Sequence, residues 1–294
     1  MKNKALINLI ASMAIFGTIG LAVVNIPLPR GFIAMIRGGG GALALLLILL
    51  LSGKRLSFPK IKENIILLVA SGVLIGVNWI LLFESYSFTS VSVATLSYYM
   101  APVIVMIISV TALGEKLSVK SLICIFTALL GMLLVSGVLN GGIEDKREIV
   151  GILLALGAAL CYALVTVLNK KMKDIPAYDT SIIQLGSAFV AIAPYSLISE
   201  DVWHIDWSAK TAILLVVVVL VHTGLAYALF FSSVKSLKGQ TVAVFSYIDP
   251  CLSVLLSILF LGDEPTAELI IGAVLIIGAL IVAEIKMPKR SNNK

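Results

Sequence analysis

Asp249 stands nine residues into an apolar run, 240–262, and immediately precedes Pro250. At a rise of about 1.5 Å per residue it lies roughly 14 Å from one end of a membrane-spanning helix, near the middle of a bilayer core about 30 Å thick. A carboxylate at that depth costs roughly 2.5–3.5 kcal/mol on insertion scales, so it faces a bundle interior or a wet cavity and binds a cation or a proton. Pro250 removes a backbone donor and frees a carbonyl nearby. His222, in the preceding apolar run, falls about 12 Å from the same face, level with Asp249, where the two would share a proton. Arg37 lies about 9 Å below the opposite face. Its fork suits a carboxylate held bidentately, or headgroups reached by snorkelling. Gly38-Gly39-Gly40-Gly41 follow it and permit very close approach by a neighbouring backbone. Glu84, near the outer end of its run, is a candidate partner for Arg37 and a third candidate for proton coupling.

Polar and aromatic side chains gather in the same zone: Asn78, Trp79, Tyr98, Tyr99, Tyr162, Tyr227 and Tyr247. A phenol donates a hydrogen bond, and an aromatic face covers an ammonium. With Asp249 and Arg37 these form the candidate substrate-binding set, while Asp249, His222 and Glu84 form the proton-coupling set. Tyr195, Trp203 and Trp207 read as interfacial anchors, and Gln184 as an isolated polar residue. No nucleophile–base–acid set converges. Gly38 to Gly41 lack the following lysine of a phosphate loop. Cys124, Cys161 and Cys251 lie inside apolar runs and read as small apolar side chains; His204 falls in a loop. The reading therefore assigns no cofactor, no metal and no enzymatic activity, and leaves an ion gradient as the source of energy.

These residues need helices in lipid to position them. Of 294 residues, 60% are hydrophobic and 13% charged, against about 45–50% and about 25% in a soluble domain. No soluble globule hides that much apolar side chain. A soluble enzyme, a disordered chain and a disulfide-stapled secreted protein are excluded. Ten apolar runs of spanning length stand at 5–25, 31–51, 64–86, 89–112, 119–139, 149–171, 178–198, 210–232, 240–262 and 266–286. Turn chemistry separates them: Ile26-Pro27-Leu28-Pro29, Ser52-Gly53-Lys54, Asn140-Gly141-Gly142 and Gly262-Asp263-Glu264-Pro265. The first run follows Lys2 and Lys4 but is no signal peptide: no small-x-small cleavage site precedes a soluble domain. The net charge of +6 does not imply nucleic acid, because the basic residues sit in the gaps between runs. Seventeen of the 22 lysines and arginines fall on the side that holds both termini, and only Arg30, Lys146, Arg147 and Lys210 on the other. The positive-inside rule then places the chain in the plasma membrane with cytoplasmic termini.

The halves repeat. Pro102 is followed by Leu113-Gly114-Glu115, and Pro250, at an offset of 148, by Leu261-Gly262-Asp263. Tyr99 and Tyr247 each precede their proline by three residues, and Gly76 matches Gly224. Five helices per repeat, an odd number, insert the second copy upside down relative to the first. The expected architecture is an all-α membrane protein of ten transmembrane helices in two inverted five-helix repeats: 1–139, an outer linker 140–148, and 149–294 with a basic tail.

The twin proline and Leu-Gly-acid motifs resemble those of the drug/metabolite transporter superfamily, in its EamA-type branch, over nearly the whole chain. The departures are Phe16-Gly17, where such proteins often carry a tryptophan, and the Asp263-Glu264-Pro265 run. The resemblance implies alternating-access transport of small organic solutes, usually outward, through a cavity lined mainly by helices 1, 3, 4, 6, 8 and 9, with helices 5 and 10 peripheral. From the residues, the expected activity is proton-driven export of small polar metabolites, an amine or a zwitterion such as an amino acid. The alternatives are export of drugs or amphiphiles, or a non-transporting intramembrane enzyme or accessory protein. The expected partners are the small-molecule substrate, protons and the lipid bilayer, with a homodimer through the peripheral helices as an option.

Overall fold

The computed structural model describes residues 2–23, 25–89, 91–116, 118–135, 146–203, 207–260 and 267–284. Residues 140–145, His204, the Leu261-Gly262-Asp263-Glu264-Pro265 segment and the basic tail lie outside them.

The described residues form an all-α membrane protein. Seven helical stretches are long and apolar enough to cross a bilayer, and Val119–Leu134 and Ile270–Ala279 are shorter apolar helices. The ten runs correspond to α1 (Lys2–Gly17) with α2 (Ile19–Val23), α3 (Arg30–Leu51), α4 (Phe58–Ser85), α5 (Val91–Tyr98) with α6 (Ala101–Leu113), and α7 (Val119–Val135) in the first half. The second half holds α8 (Lys146–Lys171), α9 (Ala177–Ser199), α10 (Ala209–Val217) with a π-helical segment (Val218–Leu225) and α11 (Ala226–Val234), α12 (Gly239–Phe245) with α13 (Ile248–Phe260), and α14 (Ala267–Glu284). Four runs that read as continuous helices are thus interrupted or re-wound. The fourth and ninth break just before Pro102 and Pro250, whose rings and missing N–H disrupt the ladder upstream. The first breaks at Thr18, whose hydroxyl donates back to the Ile15 carbonyl at 2.8 Å.

Helix ends follow local chemistry. Pro59 opens α4 at its first turn. The Ser208 hydroxyl caps α10 by accepting from the Thr211 N–H. Gly114 closes α6 in the left-handed region, with φ 64°.

The packing exchanges the two halves. α3 lies against α9, and α7 against α14: the second span meets the seventh, and the fifth meets the tenth. α4 packs on α8, and in the same way α11 packs on α1; α4 also meets α9, as the π-helical segment meets α3. Such i-to-i+5 correspondence is what a pseudo-two-fold axis between inverted repeats produces. Glycines permit the closest approaches. A Cβ on Gly72 would stand 2.5 Å from the Gln184 carbonyl, where α4 crosses α9.

One end of the bundle carries the lysine-rich loops and is tied shut. Glu115 pairs with Lys170 at 3.1 Å and accepts the Gly239 N–H at 3.0 Å, at the start of α12. Lys170 also donates to the Leu237 carbonyl. Asp179 accepts the Ser57 N–H at 3.0 Å, and the Asn64 amide donates to the Lys173 carbonyl at 2.9 Å. At the opposite end Glu200 accepts the Gly31 N–H at 2.8 Å.

Candidate substrate cavity

Between the halves lies a cavity of about 640 Å³ that reaches the surface beside exposed Arg30, at the end away from the lysine-rich loops. That volume falls in the range of small-molecule sites, about 300–1,000 Å³. Side chains of the first, second, third, fourth, sixth, eighth and ninth spans line it. The second span, through Ile33 and Arg37, joins the six expected from the resemblance.

Asp249 lines this cavity from the first turn of α13, directly before Pro250. Its carboxylate makes no hydrogen bond or ion pair with a described residue. The small residue of Phe16-Gly17 explains how it sits there. A Cβ on Gly17 would be 2.7 Å from the Asp249 carbonyl oxygen, so only glycine lets α1 pass so close to the start of α13.

Arg37, 7% exposed, lines the same cavity. Its Nε donates to the Thr223 hydroxyl at 3.1 Å, and its Cζ stands 4.6 Å above the Trp79 ring. The guanidinium is therefore buried in protein and does not snorkel to headgroups. The glycine run serves close packing as expected, because Cβ atoms on Gly38, Gly40 and Gly41 would meet Phe189, Val219 and Thr223 at 3.1 Å or less.

Aromatic rings make the rest of the wall. Trp79 and Phe16 meet Tyr227 edge-on at 6.1 and 5.1 Å, and Tyr98 meets Tyr162 edge-on at 6.4 Å. Tyr99 completes the wall beside Tyr98, and the Tyr162 hydroxyl pairs with Ser246 at 3.1 Å. Asn78 lines the cavity with its amide fixed on the Ala158 carbonyl at 2.6 Å.

The structure thus brings Asp249, Arg37, Asn78, Trp79, Tyr98, Tyr99, Tyr162 and Tyr227 to one cavity. The other three candidates stand behind its walls. Tyr247 is fully buried, its hydroxyl donating to the Tyr99 carbonyl at 3.3 Å. His222 does not pair with Asp249: its Nε2 is bonded to the Thr18 hydroxyl at 2.9 Å, and its Nδ1 has no partner among the described residues. Glu84 does not pair with Arg37, because it accepts from the Tyr195 hydroxyl instead. Tyr195 is therefore a bonded partner as well as an interfacial aromatic. Gln184 is fully buried and bonded to Ser71 and Asn169. Phe16, Thr95, Tyr86 and Ser253 also line the cavity and are not among the sequence's candidate site residues, Phe16 having been noted only as a departure from the family pattern. Two had a helical signal: Ser253 is one turn beyond Asp249, and Thr95 one turn before Tyr99.

The sequence model of the EamA-like transporters matches residues 3–137 and again 149–284. The chain belongs to the EamA-like transporter family. This transporter is 29% identical to the uncharacterized transporter YxxF of Bacillus subtilis, over 99% of its own length and 93% of that protein. It is 24% identical to protein RarD of Escherichia coli, over 70% of its own length and 67% of RarD's. A solved crystal structure shares its fold, with a TM-score of 0.83, 19% identity and 97% of each chain covered.

Proposed function

We propose that the transporter exports small polar organic metabolites bearing an amine, alone or within a zwitterion, in exchange for protons. The observation that carries this reading is the Asp249 carboxylate, unpartnered among the described residues and facing an aromatic cavity at mid-membrane depth. One carboxylate holds a cationic group or a proton, not both. Protonation of Asp249 from the outer side displaces the cargo, and loss of that proton on the inner side restores the site, so the two fluxes run in opposite directions. Of the three ionisable candidates for the proton, Asp249 alone lines the cavity, while His222 and Glu84 are held by Thr18 and Tyr195. The aromatic walls contribute faces that attract an ammonium. The same walls favour a second reading, export of larger aromatic or amphiphilic cations, which a substrate screen separates from the first.

The reading places the chain in the cell membrane with the lysine-rich end and both termini in the cytoplasm and the cavity mouth outside. In this orientation a lone cysteine introduced as Trp203→Cys reacts with a membrane-impermeant maleimide on intact cells, and one introduced as Lys54→Cys reacts only after lysis. For the mechanism, amine uptake or efflux in proteoliposomes under an imposed pH gradient is compared between the natural chain and Asp249→Asn. The expected result is loss of the pH-driven component. Undiminished proton-driven flux in the variant would refute the mechanism.

A further inference from the structure

Arg37 is buried about two turns into α3, the second span, with no carboxylate in ion-pair range among the described residues. Its surroundings engage part of the guanidinium only. Nε donates to Thr223, and one face lies on Trp79. The two terminal nitrogens, which hold four of the five N–H donors, have no bonded partner among the described residues, and the side chain lines the cavity. A buried cation is retained when something pairs it. Here the protein supplies the aim and not the counter-charge.

The aim is built with unusual care. The Thr223 hydroxyl donates its single proton to the Val218 carbonyl at 3.0 Å, five residues back, which is the π-helical spacing of Val218–Leu225. With its proton committed there, the oxygen can only accept, and it accepts from Arg37 Nε. Gly41 makes the contact possible, because a Cβ there would stand 2.8 Å from the Thr223 methyl. Anchoring Nε on Thr223 and seating Cζ over the Trp79 ring leaves the two terminal nitrogens as the free end of a rigid planar fork, the group that grips a planar carboxylate with two parallel hydrogen bonds.

We infer that Arg37 is an oxyanion subsite for the cargo's carboxylate, aimed by Thr223 as a positioning residue, so that the transported compound carries a carboxylate together with the cationic group held by Asp249. The cargo is then a zwitterion of the amino-acid type, which Arg37 selects over simple amines. This rests on the reading of Asp249 given above.

The full-length chain, purified into nanodiscs of neutral lipid, is titrated with the standard amino acids, their carboxamides and their N-acetyl derivatives, with binding read by calorimetry. The natural chain is expected to bind at least one amino acid about tenfold or more tighter than its carboxamide, the scale of a lost charge-assisted bidentate pair. Arg37→Gln is expected to abolish that preference while leaving the carboxamide within about twofold, and Arg37→Lys, which keeps the charge without the fork, to fall between. Thr223→Val is expected to weaken the amino acid about fivefold and spare the carboxamide, with Thr223→Ser restoring it, which a general packing defect would not do. Equal losses for amino acid and carboxamide in Arg37→Gln would overturn the inference. So would a panel in which no carboxylate-bearing compound binds, or Arg37→Gln changing only the amount of co-purified anionic phospholipid. N-acetyl acids binding as tightly as the amino acids, still dependent on Arg37, would sink the Asp249 reading and leave the oxyanion subsite standing.

Discussion

The fourth and ninth spans occupy corresponding places in the two repeats, and their backbones do the same thing. In the fourth, α5 ends at Tyr98 and α6 begins at Ala101, directly before Pro102; in the ninth, α12 ends at Phe245 and α13 begins at Ile248, two residues before Pro250. Both step to a tighter turn just upstream: the Met100 N–H donates to Ser97, and the Tyr247 N–H to Val244, each three residues back. The prolines impose this, since each lacks the N–H that the carbonyl four residues earlier would receive. The side chains then diverge. The residue before the proline is Ala101, 3% exposed and packed, in one span, and Asp249, lining the cavity, in the other. Tyr99 turns its ring to the cavity, whereas its counterpart Tyr247 is buried and braces the Tyr99 carbonyl. Duplication delivered one backbone device twice, and the chemistry was installed in one copy.

Forcing the copies to match in either direction breaks that division. The largest effect is expected from Ala101→Asp, which places an acid at a packed site with no cavity to receive it. Stability falls by about 3 kcal/mol, the insertion cost of such a group, and fluorescence-detected gel filtration shows most of the protein aggregated. The reverse change, Asp249→Ala, leaves the melting temperature unchanged or slightly raised, because it removes an acid that no described residue pairs. Its transport falls more than about tenfold, since the charge that differentiates bound and protonated states is gone. Tyr247→Phe sharpens the contrast at the brace. It loses one hydrogen bond, costs about 1 kcal/mol in a thermal or detergent unfolding assay, and leaves cargo affinity alone. Tyr99→Phe, its counterpart, shows the smallest effect: no change in melting temperature, and a loss in cargo affinity of about two- to threefold, as for one exposed phenol contact.

Much of this architecture was legible before any coordinates. The ten apolar runs coincide with ten helical stretches among the described residues to within a few residues at most ends, because the length needed to cross lipid is a strong constraint on composition. The offset of 148 between Pro102 and Pro250 marked the two prolines as equivalent, but both runs read as continuous helices, and only the fold shows the break before each. The interruptions at Thr18 and over Val218–Leu225 were not legible. They depend on hydroxyls that return to their own backbone once a neighbour fixes them, and an isolated threonine announces no such partner. The pairing of polar residues was also hidden. By depth the sequence paired His222 with Asp249 and Glu84 with Arg37, yet the fold gives Arg37 to Thr223, Glu84 to Tyr195 and His222 to Thr18, and leaves Asp249 to the cavity.

By itself, then, the amino-acid order determined that the chain lives in lipid, how many times it crosses, that its halves are inverted copies, and how far along its helix each ionisable group stands. Those are one-dimensional quantities, fixed by counting apolar residues and the axial rise of a helix. Only the tertiary structure decided which of those groups look at one another and which look at the cargo. Depth runs along a helix axis, but facing is a rotation about it, and in a bundle that rotation is set by how glycine-lined surfaces such as Gly38 to Gly41 and Gly72 interlock with their neighbours.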